Sequence, residues 1–228
     1  MNETKAVLWD LDGTILDSVS VMHEILDEIF PEFGIERLTR SQVRAGLYGA
    51  LEESLVRFSN NHPNQDALIE AFMESQHRHY LEEPAMFESV TLAVSRLPAY
   101  GVRQGIVTSR SNDGGRGPGG AHAIVRNSRL KEHIDIVISA DECTFHKPHP
   151  EPIELALAKL AVRPENAVMV GDQPVDAIAA RKAGVHSILV DHEATSEGHG
   201  ALKKSNPDII IRETDELLPY LLEQLEIK

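Results

Sequence analysis

Asp10 and Asp12 stand two residues apart in D-L-D-G-T. In an extended chain such residues face the same way. Two carboxylates side by side in a crevice need a cation, or one shared proton, between them. A third acid, Asp172, lies in G-D-Q-P-V-D, and Asp176 follows four residues later. Carboxylate oxygens without a cysteine or histidine partner suit a hard ion such as Mg²⁺ and not zinc. Lys147, in H-K-P-H-P, is either a structural ion pair or, at an edge that holds a metal, a point charge on a phosphate oxygen. Ser109 and Arg110 end the run GIVTSR. The Ser109 hydroxyl can donate to the same phosphate; taken alone it is equally a turn or helix-capping serine.

These side chains are far apart in sequence, so the elements between them must gather them. Residues 5–9, KAVLW, read as a short buried strand that ends at Asp10. Residues 18–30 carry one apolar stripe, Met22, Ile25, Leu26 and Ile29, with Ser18 placed as the N-cap. Further helical patterns fall at 39–47, 51–59 and 65–82, and no strand pattern interrupts 17–83. From residue 85 helices alternate with short apolar runs. A helix at 89–99 leads to a strand at 103–108, and IDIVISA (134–140) precedes a helix at 152–161. A strand at 167–171 and a helix at 175–183, stopped by Gly184, lead to a strand at 186–190. DIIIR (208–212) and a helix near 215–225 close the chain, and 191–206 reads as a polar loop. This alternation predicts an α/β fold, a Rossmann-like, doubly wound parallel sheet. The core domain is expected over 1–16 and 84–228, with 17–83 inserted as an all-helical domain. Such sheets bind ligands outside the carboxyl ends of their strands. Asp10, Asp12, Ser109, Arg110, Lys147 and Asp172 all fall just past strand ends, with Asp176 close behind.

Composition narrows the function classes. The net charge of −14 in 228 residues disfavours nucleic acid and anionic membrane as partners. An anionic substrate therefore needs local cations at the site. One cysteine, Cys143, permits no internal disulfide and fits the cytoplasm. No apolar run approaches a membrane span. None of the 11 histidines sits in a metal-binding pattern.

VLWDLDGTILDS, GIVTSR, HKPHPEP and MVGDQPVDAIAARKAG, in this order and spacing, resemble the four motifs of the haloacid dehalogenase superfamily of phosphohydrolases. The resemblance covers nearly the whole chain, including a helical cap inserted after the first motif. NPDIIIRETDELLPYL is similar to the end of the phosphoglycolate phosphatase-type branch. The resemblance implies that Asp10 is a nucleophile attacking phosphorus and that Asp12 is first general acid, then general base. It implies that Mg²⁺ sits between Asp10, the Asp12 main-chain carbonyl and Asp172, with Asp176 orienting metal-bound water or Lys147. Ser109, Arg110 and Lys147 are then the phosphate contacts. The expected substrate is a small phosphorylated metabolite, such as a phosphoglycolate-type acid or a sugar phosphate, and the expected state is a monomer or homodimer.

Asp12 favours phosphoryl transfer over dehalogenation, since the dehalogenase members lack an acid there. Residues 17–83 contain no lysine, whereas the β-phosphoglucomutase-like relatives rely on basic cap residues including one. Hydrolysis is therefore preferred to a mutase, and to a catalytically silent phosphate binder, because no motif acid is missing. Arg44 and Tyr48 fall where such caps place a specificity loop; a solvated arginine and a packed tyrosine account for them equally well. SNDGGRGPGG (111–120) holds a literal G-x-G-x-x-G at Gly115, Gly117 and Gly120. Its first glycine lies well past the strand, and Pro118 removes a donor, so a nicotinamide-binding turn is disfavoured. A mobile loop near the site mouth, with Arg116 able to swing toward substrate, is expected instead.

Overall fold

The computed structural model describes residues 3–47, 51–81, 84–112, 119–192, 196–212 and 216–227. Its frame is one parallel sheet of six strands: β1 (Ala6–Trp9), β2 (Arg103–Val107), β3 (Ile136–Ile138), β4 (Ala167–Gly171), β5 (His186–Val190) and β6 (Ile209–Ile211). Their order is β3-β2-β1-β4-β5-β6. The sheet is apolar on both faces because alternate side chains point to opposite sides. In β1, Val7 and Trp9 join one cluster with Ile106, Val168, Val170 and Ile188. Ala6 and Leu8 join the other, with Val107, Ile138 and Met169.

Helices cover both faces. On the Val7 and Trp9 side lie α5 (Glu88–Arg96), α6 (Ala121–Asn127) and α10 (Leu217–Gln224). On the Leu8 side lie α7 (Glu151–Leu160) and α8 (Pro174–Ala183). The Val7 and Trp9 face also holds a buried polar group. Trp9 Nε1 donates to Gln104 Oε1 at 3.0 Å, and Gln104 Nε2 donates to the carbonyls of Val94 (2.8 Å) and His133 (3.0 Å). This glutamine thus ties β1, β2, α5 and the approach to β3 together.

Between β1 and β2 the chain forms α1 (Ser18–Ile29), α2 (Arg40–Gly46), α3 (Leu51–Phe58) and α4 (Gln65–Leu81). Ile25, Leu26, Leu55, Leu68 and Phe72 from these helices share an apolar cluster with Leu11, Leu16 and Trp9. The two segments leading into and out of the helices run side by side. Asp17 N–H donates to Ala85 O and Phe87 N–H to Ile15 O, each at 2.9 Å, around an antiparallel bridge between Leu16 and Met86.

Four local expectations change. The N-cap of α1 is Asp17, whose Oδ1 accepts from Ser20 N–H at 3.1 Å, and Ser18 is the first helical residue. The polar stretch 191–206 contains a helix, α9 (Ser196–Lys204). One apolar anchor, Leu202 packed on Ala177 and Leu189, is too sparse to show a period, and Lys203 and Lys204 suit the negative end of the helix dipole. The helix expected over 89–99 ends at Arg96, and Leu97–Tyr100 tighten into a 3₁₀ turn at Pro98, which has no N–H to continue the α ladder. The run 134–140 yields only three strand residues, Ile136–Ile138, on the sheet edge.

Candidate active site

The carboxyl ends of β1, β2 and β4 meet at one edge, as the strand register dictates. Asp10 N–H donates to Val170 O at 2.8 Å, which carries the ladder one residue past β1 and fixes the Asp10 side chain at the cleft floor. The chain then turns on itself: Ile15 and Leu16 N–H donate to Leu11 O at 3.0 and 2.8 Å, and Gly13 N–H donates to Leu16 O at 2.9 Å. Gly13 has φ +79°, and a Cβ there would lie 2.2 Å from Asp172 Oδ2. The D-L-D-G turn can therefore approach Asp172 only through a glycine. A Cβ on Gly171 would likewise meet Asp176 Cγ at 2.3 Å.

Lys147 is the counter-charge. Its Nζ donates to Asp10 Oδ1 (2.8 Å), Asp176 Oδ1 (2.7 Å) and Val107 O (2.9 Å), which uses all three ammonium protons inside the protein. Burial opposes its charge, but Asp10 and Asp176 outweigh burial and hold the ammonium above its ordinary range. Asp176 is fixed further by Gln173 N–H, 3.0 Å from Oδ2. Asp172 accepts from Thr14 Oγ1 (3.3 Å) and Gln173 Nε2 (2.9 Å).

Oxygens of Asp10, Asp172 and Asp176 lie within 4.8 Å of one another. Burial, followed by repulsion from Asp176, pushes the Asp172 carboxyl up to about 7 against the help of Gln173, Lys147 and Thr14. Burial also raises Asp10 well above the carboxylate range; Lys147 pulls it back, and Asp176 and Asp172 push it up. Three carboxylates against one ammonium leave an excess of negative charge, and the donor set is all oxygen. Both observations fit a hard divalent cation.

Asp12 sits apart from that cluster. Arg110, just past β2, donates from Nε to Asp12 Oδ2 at 2.8 Å and from Nη2 to Asp12 Oδ1. Its Nη1 donates to Gly119 O at 2.9 Å, its Nη2 reaches Tyr80 Oη at 3.2 Å, and its guanidinium lies 5.3 Å from the Tyr80 ring centroid. Asp10, Asp12, Lys147, Asp172 and Asp176 line a cleft of about 930 Å³, walled on its far side by Met22, Ile25, Phe72 and Tyr80 from α1 and α4. Thr108, Ser109 and Arg44 also line it. Tyr48, Arg116 and residues 113–118 of the Gly-rich stretch lie outside the described residues.

Residues 7–190, a span that holds every one of these acids, match the haloacid dehalogenase-like hydrolases. The chain belongs to that family. The pyrophosphatase PpaX of Bacillus cereus (strain Q1) is 28% identical over 219 residues, covering 94% of this chain and 95% of that protein. Two solved structures share the fold. A Thermotoga maritima protein assigned provisionally as a beta-phosphoglucomutase superposes with a TM-score of 0.80 at 21% identity, covering 96% of this chain and 99% of that one. A predicted phosphoglycolate phosphatase from Haemophilus somnus gives 0.72 at 18% identity, with 96% and 99% coverage.

Several residues that shape this hydrolase's site escape a reading of the sequence. Gln173 donates to its chain neighbour Asp172, whereas the bond from Thr14 to Asp172 depends on how β1 and β4 pair. Buried Thr108 accepts from Arg110 N–H at 3.0 Å, while its neighbour Ser109 is exposed to the cleft. Tyr80 lies in the last turn of α4, outside every motif, and carries no local signal. No helix among the described residues is long and apolar enough to cross a membrane.

Proposed function

We propose that the chain is a Mg²⁺-dependent phosphatase that hydrolyses a small phosphomonoester through an aspartyl-phosphate on Asp10. The observation that carries this reading is the placement of Asp10: buried at the cleft floor, paired to Lys147 through Oδ1, and beside Asp172 and Asp176. Asp10, Asp172 and the Asp12 carbonyl would hold the ion. When bound, Mg²⁺ offsets negative charge on the phosphoryl group.

The other Asp10 oxygen attacks phosphorus, forming an Asp10 O–P bond as the bond from phosphorus to the leaving oxygen breaks. Asp12 gives its proton to that oxygen. Asp12 then takes a proton from water, whose oxygen attacks phosphorus and releases phosphate and free Asp10. Lys147 favours the ionised form of Asp10 against burial, orients it and sets its positive charge beside the phosphoryl oxygens, with the Ser109 hydroxyl, on the cleft lining, as a further donor to them. Asp176 holds Lys147 in place. Residues 17–83 act as a cap over the cleft, which excludes water and favours small substrates. Arg44 and Tyr48 contribute to leaving-group selection from that cap.

Purified protein with Mg²⁺ is expected to release phosphate from part of a panel of pyrophosphate, phosphoglycolate and sugar phosphates, and Asp10→Asn is expected to lose at least about 10³-fold of that activity. Full activity of Asp10→Asn, or no turnover of any panel member, overturns the reading.

A further inference from the structure

Arg110 occupies the group that must act as the acid. Both oxygens of Asp12 accept from one guanidinium, through Nε and Nη2. A carboxyl cannot hold a proton for a leaving group while both oxygens are engaged in this way. The same guanidinium is anchored to α4 through Tyr80 and to the strand-end loop through Gly119 O. It is largely enclosed, and Asp12 provides its charge balance. Arg110 therefore cannot simply leave Asp12, because a sequestered cation without an anionic partner is strongly disfavoured. It can only exchange one anion for another.

Resting on the phosphatase reading above, we propose that Arg110 is a substrate-operated release for Asp12. An anionic group on the leaving part of the substrate, a carboxylate or a second phosphate, takes the guanidinium, and Asp12 becomes free to carry its proton to the leaving oxygen. The geometry supports this. Asp12, Arg110 and Tyr80 line the same cleft as Asp10, so a short leaving group whose phosphorus sits at Asp10 reaches Arg110 without leaving the cleft. The planar fork that grips Asp12 matches a carboxylate or phosphate equally well. A neutral leaving group offers Arg110 nothing, and Asp12 stays clamped. The substrate class that follows is phosphomonoesters and anhydrides with a second anionic group close to the scissile bond. Arg110 is a positioning residue for the acid and the specificity-determining residue for that second charge.

The test compares kcat and KM for substrates of similar size with anionic leaving groups (phosphoglycolate, pyrophosphate) and neutral ones (glycerol phosphate, ethyl phosphate), in wild type, Arg110→Lys and Arg110→Gln, with Mg²⁺ throughout. Wild type is expected to favour the anionic set by about tenfold to a hundredfold in kcat/KM, a range set by one charge-assisted contact, with much of the difference in kcat. Arg110→Gln should bring the two sets within about threefold of each other, and Arg110→Lys should keep part of the preference. Thermal unfolding establishes that each variant is folded; if Arg110→Gln is not, wild type and Arg110→Lys decide. Comparable kcat/KM for the two sets in wild type, or an undiminished preference in folded Arg110→Gln, overturns the proposal while leaving the phosphatase reading intact. Absence of turnover for every substrate in wild type overturns the phosphatase reading itself.

Discussion

Asp10, Asp172 and Asp176 share a pocket with a single ammonium, and Asp172 bears the consequence. Its carboxyl is pushed from 3.8 up to about 7, whereas in the unfolded chain it titrates near the ordinary value of about 3.9. A raised folded-state value means that the folded, metal-free protein binds this proton more tightly than the unfolded chain does. The stability gained is fully present below about pH 4 and is lost as pH rises through about 7. Asp172→Asn imitates the protonated form. With divalent ions chelated, it should exceed wild type by on the order of 1 kcal/mol at pH 8, a modest figure because the side chain is only half-buried, and by nothing at pH 4. Urea unfolding at the two pH values checks this, and equal stability at pH 8 contradicts it. The acids themselves were legible in the sequence, since they cluster in two short motifs at strand ends. Their partners were only partly so. The sequence left Lys147 open between an ion pair and a phosphate contact; its bonds to Asp10 and Asp176, the clamp of Arg110 on Asp12 across the β1–β2 ends and the link of Arg110 to Tyr80 on α4 appear only once the elements are packed.

At the scale of elements, the site depends on the strand ends of β1, β2 and β4 staying in register, and Gln104 helps to hold them. It accepts from Trp9 across the β1–β2 pair and donates to two carbonyls, one before and one after β2 along the chain. Gln104→Leu leaves an indole N–H and two carbonyls buried without partners. The expected cost is on the order of 2–4 kcal/mol in urea unfolding, with the divalent-ion affinity kept within about threefold because Gln104 lies at the far end of β2 from the acids. A loss under about 0.5 kcal/mol contradicts the assignment. The alternation of strands and helices makes the sheet and its two covering layers legible, because β1 and β4 are continuous apolar runs and β5 ends in one. The elements misread were those with weak local signals. α9 rests on one buried leucine, Leu202, and α1 is capped by Asp17, one residue before the serine that resembled a cap.

Across the whole molecule a net charge of −14 surrounds a cleft meant, in the proposed function, for an anion. Lys147 and Arg110 are the described cations that touch the motif acids there, and each is already paired. In that proposed function substrate capture rests on exchange of partners and on a bound divalent ion, not on a broad positive field. The division into a sheet and a helical segment has a parallel meaning. The helices of 17–81 wall one side of the cleft and the strand ends form its floor, and the paired segments around Leu16 and Met86 are the links between them. The proposed function turns on covalent phosphorylation of Asp10. Mixing the protein with Mg²⁺ and an excess of a turned-over phosphomonoester, quenching in acid within milliseconds and mapping peptide masses tests it directly. One added phosphoryl group is expected on the peptide containing Asp10, absent from Asp10→Asn. Steady turnover with that peptide unmodified, or a phosphoryl group on another residue, would contradict it.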